Sequence, residues 1–161
     1  MIDKVYLIGQ ISANAPITYE WRKEIKTKMA NDNQFYFIDP CKNEYSNGVV
    51  HKYGDGSDID KTKFYKDAGA ELIVPKDKMY VMRSTIAVAN LNHYDISKPM
   101  IGTMFELAWY HNNNHKAVIG LYDGDPGDSI YCYHPFVKAS ISCWTRSIDE
   151  VVDVLNKYFR I

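Results

Sequence analysis

The chain has 161 residues and a formal net charge of -1 at pH 7, with 46% hydrophobic and 24% charged residues. That length suffices for one domain, residues 1–161, whose core needs neither metal nor disulfide support. The near-balanced charge lacks the basic footprint of a nucleic-acid-binding surface. Cys41, Cys132 and Cys143 are odd in number and have no metal-ligand spacing, so they read as reduced thiols of a cytoplasmic protein. Residues 1–4 run straight into an apolar stretch, which leaves no signal peptide to expect. No apolar run approaches the ~20 residues of a membrane helix, so no membrane partner is expected.

Taken in order, residues 4–9 (Lys-Val-Tyr-Leu-Ile-Gly) read as a buried first strand, and residues 17–30 as a helix rich in Lys and Glu. Residues 34–40 form a second strand closed by Asp-Pro. Residues 41–60 are polar and turn-rich, a stretch long enough to serve as a lid, and residues 60–68 follow as a short helix. Residues 76–84 read as a helix that begins after Pro75 with Asp77 in its first turn, and residues 85–91 as a central strand. A helix over residues 102–112, a buried strand over 116–122, a loop over 123–128 and a short strand over 142–145 come next. Ser147 with Glu150 three residues on makes a capping box, and Val151, Val152, Leu155 and Phe159 stripe the last helix. Short apolar strands alternating with helices imply a parallel sheet covered on both faces.

The central stretch is Gly102-Thr103-Met104-Phe105-Glu106-Leu107-Ala108-Trp109-Tyr110. Phe105, Ala108 and Trp109 recur at helical spacing and predict its apolar face. Glu106 is the ionisable residue of this run and is expected in the first helical turn. There the free backbone N–H groups and the helix dipole would keep its carboxylate ionised. Such a group is either a helix-dipole partner, the commoner use, or a nucleophile or base at the end of a parallel strand. Gly9 sits in Gly-Gln-Ile-Ser, without the pattern of a dinucleotide or P-loop phosphate site. Asp123, Asp125 and Asp128 lack the closing Glu of a calcium loop, because the twelfth position is His134, and read as a solvated turn. His111 and His115 belong to no HExxH pattern. Tyr6, Asp77 and Asn90 are each open to a structural reading: core ring, helix N-terminal acid and strand-end acceptor.

Together, Val5-Tyr6-Leu7-Ile8-Gly9, Asp77 leading into Ser84-Thr85-Ile86-Ala87-Val88-Ala89-Asn90-Leu91, and Gly102-Thr103-Met104-Phe105-Glu106-Leu107 resemble the nucleoside 2-deoxyribosyltransferase family over most of the chain. The last segment is similar to that family's G-T-x-x-E-[LI] signature. The resemblance implies a flavodoxin-like α/β fold, a doubly wound parallel sheet of about five strands with helices on both faces. It implies that Glu106 attacks C1′ of a 2′-deoxynucleoside, that Tyr6 tunes its carboxylate, and that Asp77 moves a proton onto or off the base. Gly9, Asn90, Gly102 and Thr103 would line the substrate. No cofactor or metal is called for. The implied partners are deoxynucleosides, free nucleobases and further copies of the chain, which would form a homo-oligomer with shared sites; Tyr131, Tyr133 and His134 are candidates to reach a neighbour's site.

The chain departs from the family pattern at Met100, where Asp or Ser is usual six residues before the nucleophile, and at Ala108 and Thr85. Met100 offers no donor for a 5′-phosphate, so free deoxynucleosides are expected as substrates. Hydrolysis by the same covalent chemistry is the near alternative, and a non-catalytic nucleotide-binding protein the distant one.

Overall fold

Among the described residues, short runs rich in aliphatic or aromatic side chains become five strands: β1 (Asp3–Gly9), β2 (Phe35–Ile38), β3 (Ile86–Asn90), β4 (Ala117–Leu121) and β5 (Cys143–Thr145). The computed structural model describes residues 2–41, 69–113 and 116–160, with 69–71 described by backbone alone. The strands lie in the order β2-β1-β3-β4-β5, and every neighbouring pair is parallel. All five residues of β3 are buried, as the central strand of a doubly covered sheet must be. The protein is therefore an α/β protein with a flavodoxin-like, doubly wound sheet. Its strand order reverses between β1 and β3, where such sheets open a crevice for ligands.

Among the described residues the helices are α1 (Ile17–Lys28), α2 (Gly69–Arg83), α3 (Ile101–His111), α4 (Ile130–Tyr133), α5 (Pro135–Ser140) and α6 (Ile148–Tyr158), with a 3₁₀ turn over Pro126–Asp128. Alternation along β1 divides the core in two. Val5 and Leu7 pack with Trp21 and Ile25 of α1 and with Val151 and Leu155 of α6. Tyr6 and Ile8 face the other way, with Val81 of α2 and Leu107 and Tyr110 of α3. The last helix opens as its sequence dictates: Ser147 Oγ accepts from the Glu150 N–H at 3.2 Å. The reciprocal arm is shifted by one residue, since Glu150 accepts from the N–H of Arg146 rather than Ser147.

Three sequence expectations are corrected. Helix α2 begins at Gly69, and Pro75 lies inside it rather than before it. A proline at the seventh position forfeits one backbone hydrogen bond, yet the helix runs on through it with the ring exposed, so Asp77 sits in its third turn, not its first. Helix α3 begins at Ile101, which makes Glu106 its sixth residue; no acid occupies the first turn. The buried stripe of α3 is Thr103, Glu106, Leu107 and Tyr110, while Phe105 and Ala108 are exposed. Apolar residues occupy two sides of this helix, and the 3.6 period fits either stripe. The structure also adds α4 and α5, which the sequence reading left unassigned. The lid expected over 41–60 and the helix over 60–68 fall outside the described residues, Cys41 excepted, as does His115.

Gly120 is fixed by packing. A Cβ there would come within 2.9 Å of Trp144 Cε3 and 3.0 Å of Ile141 Cγ2. Gly120→Ala is therefore expected to lower stability by roughly 1–3 kcal/mol. Urea unfolding measures this, and an unchanged midpoint would show that Trp144 swings away freely.

Candidate active site

Tyr6 lies in the middle of β1 and points to the α2/α3 face, beside Ala87 of β3. Small residues at Ala87 and Ala89 leave room between sheet and helix for the phenol and for the Glu106 side chain of α3. Across 100 residues of sequence, the Tyr6 hydroxyl donates to Glu106 Oε1 at 2.5 Å. Both groups are buried; Tyr6 has no exposed surface and Glu106 retains 8%. The carboxyl is thus not a dipole partner of free helical N–H groups. It is a buried acid held by one phenol.

Burial decides its chemistry. Removal from water pushes Glu106 up from 4.5 to about 8, the neighbouring Asp77 pushes the same way, and the Tyr6 hydrogen bond and the cations Arg22 and Lys76 oppose them. Burial therefore favours the protonated form of Glu106, against the expectation of a carboxylate kept ionised by the helix dipole. Asp77 is also raised, first by its burial, while Lys76, 3.3 Å from Oδ1, and Arg22 draw it down. Tyr6 is raised well above its ordinary value by burial and by the two carboxyls, so it keeps its proton and remains a donor. Burial thus biases both Asp77 and Glu106 toward their protonated forms, and the Asp77 charge adds to the bias on Glu106.

The remaining candidates fall around the strand ends. Gly9 and Asn90 are partners in the β1–β3 register. A Cβ on Gly9 would stand 3.1 Å from the Trp21 ring and 3.2 Å from the Asn90 carbonyl oxygen, so the glycine admits α1 against the strand. The Asn90 amide is spent locally: its oxygen accepts from the N–H and side-chain amide of Asn92, and its nitrogen donates to the Tyr94 hydroxyl at 3.2 Å. That is the strand-end reading of this residue. Gly102 and Thr103 occupy the first turn of α3; Thr103 is buried, and nothing lies within 4 Å of a Cβ at Gly102. The Asp125 side chain accepts from the Gly127 N–H and so caps the 3₁₀ turn, in keeping with a solvated turn.

Two residues were missed by the sequence reading. Gln10 ties the loop after β1 to the loop after β3, donating to the carbonyls of Asp95 and Lys98 and accepting from the Asp95 N–H. Arg22 is 1% exposed and donates to the carbonyls of Gly9, Gln10 and Thr18. Its signal was present: Thr18, Trp21, Arg22 and Ile25 share the inward face of α1. An arginine in a Lys- and Glu-rich helix is easily taken for solvent-facing charge.

A cleft of about 570 Å³ opens on the other side of α3, among Met104, Ala108, Tyr131, His134 and Phe136. Its walls are mostly apolar and include none of Tyr6, Asp77 and Glu106. No protein-family model and no curated protein matches this chain. Among the described residues there is no group of His, Cys, Asp and Glu suited to hold a metal ion, and no helix long and apolar enough to cross a membrane.

Proposed function

We propose that the protein is a nucleoside 2-deoxyribosyltransferase, exchanging the base of a 2′-deoxynucleoside through a deoxyribosyl ester on Glu106. The observation that carries this reading is the buried Tyr6–Glu106 hydrogen bond with Asp77 acting on the same carboxyl. A buried acid costs stability and so points to a functional use, and Glu106 with Asp77 supplies both groups the reaction needs. One proton shared by two carboxyls gives one acid and one anion. In the free protein burial and the Asp77 charge leave that proton on Glu106; in the reaction it passes to Asp77, and the Tyr6 phenol holds the resulting anion on Glu106. Glu106 then attacks C1′ as the C1′–N bond breaks, and the base leaves with the bonding electrons and the Asp77 proton. An incoming base attacks C1′ from the opposite side, returns its proton to Asp77 and frees Glu106. Two inversions give net retention, and the carboxylate stabilises the oxocarbenium-like transition state of each step.

The direct assay mixes the protein with a deoxynucleoside and a different free base. Chromatography is expected to show the exchanged nucleoside; free deoxyribose as the main product would instead assign hydrolysis. Asp77→Asn is expected to slow exchange by about 10²–10⁴-fold, most for bases that must be protonated to leave. Tyr6→Phe removes a hydrogen bond to a charged group and is expected to cost about 10- to 100-fold, from ~1.5–3 kcal/mol. Rates at wild-type level in both variants across several bases would return these residues to a structural role.

Free 2′-deoxynucleosides are expected to be better substrates than their 5′-monophosphates. Met100 is buried at the start of α3, and the Ser97 hydroxyl donates to Asp95 at 2.5 Å. A higher kcat/KM for the monophosphate would contradict this and turn attention to Lys98, whose buried ammonium has no hydrogen-bond partner.

The same reading carries a homo-oligomer. It draws on the exposed large apolar side chains Ile101 and Phe105 of α3, Ile130 and Tyr133 of α4 and Phe136 of α5, where α5 packs on both of the other helices. Of the residues considered for a neighbour's site, Tyr131 is engaged within its own subunit, its hydroxyl accepting from the Met100 N–H, while Tyr133 and His134 are exposed.

A further inference from the structure

Arg22 is the bulkiest of the fully buried side chains. A structural clip between α1 and the end of β1 needs only N–H donors, and Arg22 supplies them to Gly9, Gln10 and Thr18. Its charge is a separate matter. Asp39 Oδ1 stands 3.8 Å from Arg22 Nε, which makes no hydrogen bond, and the other oxygen of Asp39 is held by Lys26. One carboxylate thus faces two cations, and the Trp21 ring covers the guanidinium at 4.6 Å. A buried cation with half a partner is costly, and in a poorly screened interior its field extends to groups it does not touch.

We propose that Arg22 is a positioning residue for the Tyr6–Glu106–Asp77 group, clipping the end of β1 in place and supplying the fixed positive charge against which the carboxyl pair ionises. The assignment rests on the reading of that group as the reactive site. The clip holds Gly9, three residues along the strand from Tyr6, and so fixes the register at which the phenol meets Glu106. The charge acts on all three groups, drawing down Glu106, Asp77 and Tyr6 alike. Among the described residues, the other titratable or charged groups acting on Glu106 are Tyr6 of β1, Asp77 and Lys76 of α2, Cys41 after β2 and Tyr110 of α3 itself. Of these only Lys76 is a cation, and it is ion-paired to Asp77. Arg22 is then the cation of this group that the carboxyl pair does not itself neutralise.

The test is the titration of Glu106, followed by carbon-13 NMR of labelled glutamate carboxyls and assigned by the resonance lost in Glu106→Gln. Arg22→Met removes the charge at similar volume and is expected to raise the Glu106 midpoint by roughly half a pH unit or more. Arg22→Lys, which keeps the charge but not the fork, is expected to stay near wild type. Asp39→Asn leaves the clip intact and removes the anion facing Arg22, so the midpoint is expected to fall. This opposite shift decides the matter if Arg22→Met does not fold. A folded Arg22→Met or Asp39→Asn protein with the wild-type midpoint would overturn the proposal and leave Arg22 a backbone clip alone. Because the readout is not turnover, these shifts in a protein that exchanges no bases would discard the transferase reading while retaining the Arg22 assignment.

Discussion

Glu106→Ala is expected to reduce base exchange by roughly 10³-fold or more while the protein remains folded. The side chain is buried against a single donor, so its removal leaves a cavity and a Tyr6 hydroxyl without its acceptor. Glu106→Gln answers that objection, since an amide oxygen still accepts from Tyr6 yet the amide cannot act as a nucleophile. Both variants are expected to be inactive, with initial rates of nucleoside exchange as the measurement and circular dichroism as the check on folding. Substantial turnover by folded Glu106→Gln would remove Glu106 from the covalent step. The loss should appear in kcat as well as in kcat/KM, because the interaction with C1′ is made in the transition state.

The same substitution is expected to stabilise the fold, with a definite dependence on pH. In the unfolded chain Glu106 titrates near 4.5, and in the folded protein near 8. Below the lower value both states are protonated and nothing is lost. Between the two values the unfolded chain has released a proton that the folded protein still holds, so stability falls as pH rises. Above pH 8 both are ionised and the loss is complete. Glu106→Gln removes this titration. Its advantage over wild type should be near zero at pH 4.5 and reach roughly 3–5 kcal/mol at pH 8. For a domain of this size that corresponds to a rise in Tm of about 6–20 °C. Thermal unfolding at pH 5, 6, 7 and 8 measures the divergence. A constant difference between the two proteins across that range would mean that Glu106 titrates normally in the fold.

A site that destabilises its own protein is a common price of function, and it also marks where sequence reading was weakest. The sheet was legible because each strand is a short apolar run between turn signals, and all five appear within two residues of expectation. Helix α6 was equally clear, since Ser147, Glu150 and the Val151–Leu155 stripe all point to one geometry. Tyr6, Asp77 and Glu106 were named from spacing and resemblance, and the structure brings them together. Their electrostatics were not legible, because the ionisation of Glu106 depends on burial. Placing Glu106 in the first turn of α3 made it a dipole-stabilised anion; moving the helix start back to Ile101 and turning its stripe toward the sheet makes it a buried acid. Pro75 misled in a related way, by reading as a helix start where the helix in fact runs through it. Helices α4 and α5, of four and six residues, are too short to leave a periodic pattern.

The central claim is that Glu106 carries the sugar between two bases. Intact-protein mass spectrometry after brief incubation with a 2′-deoxynucleoside, followed by peptide mapping, tests it most directly. The account predicts one added deoxyribosyl group on the peptide containing Glu106, absent in Glu106→Gln and discharged as a new nucleoside when a second free base is added. Base exchange proceeding with no adduct at Glu106, or with the sugar found on another residue, would contradict it.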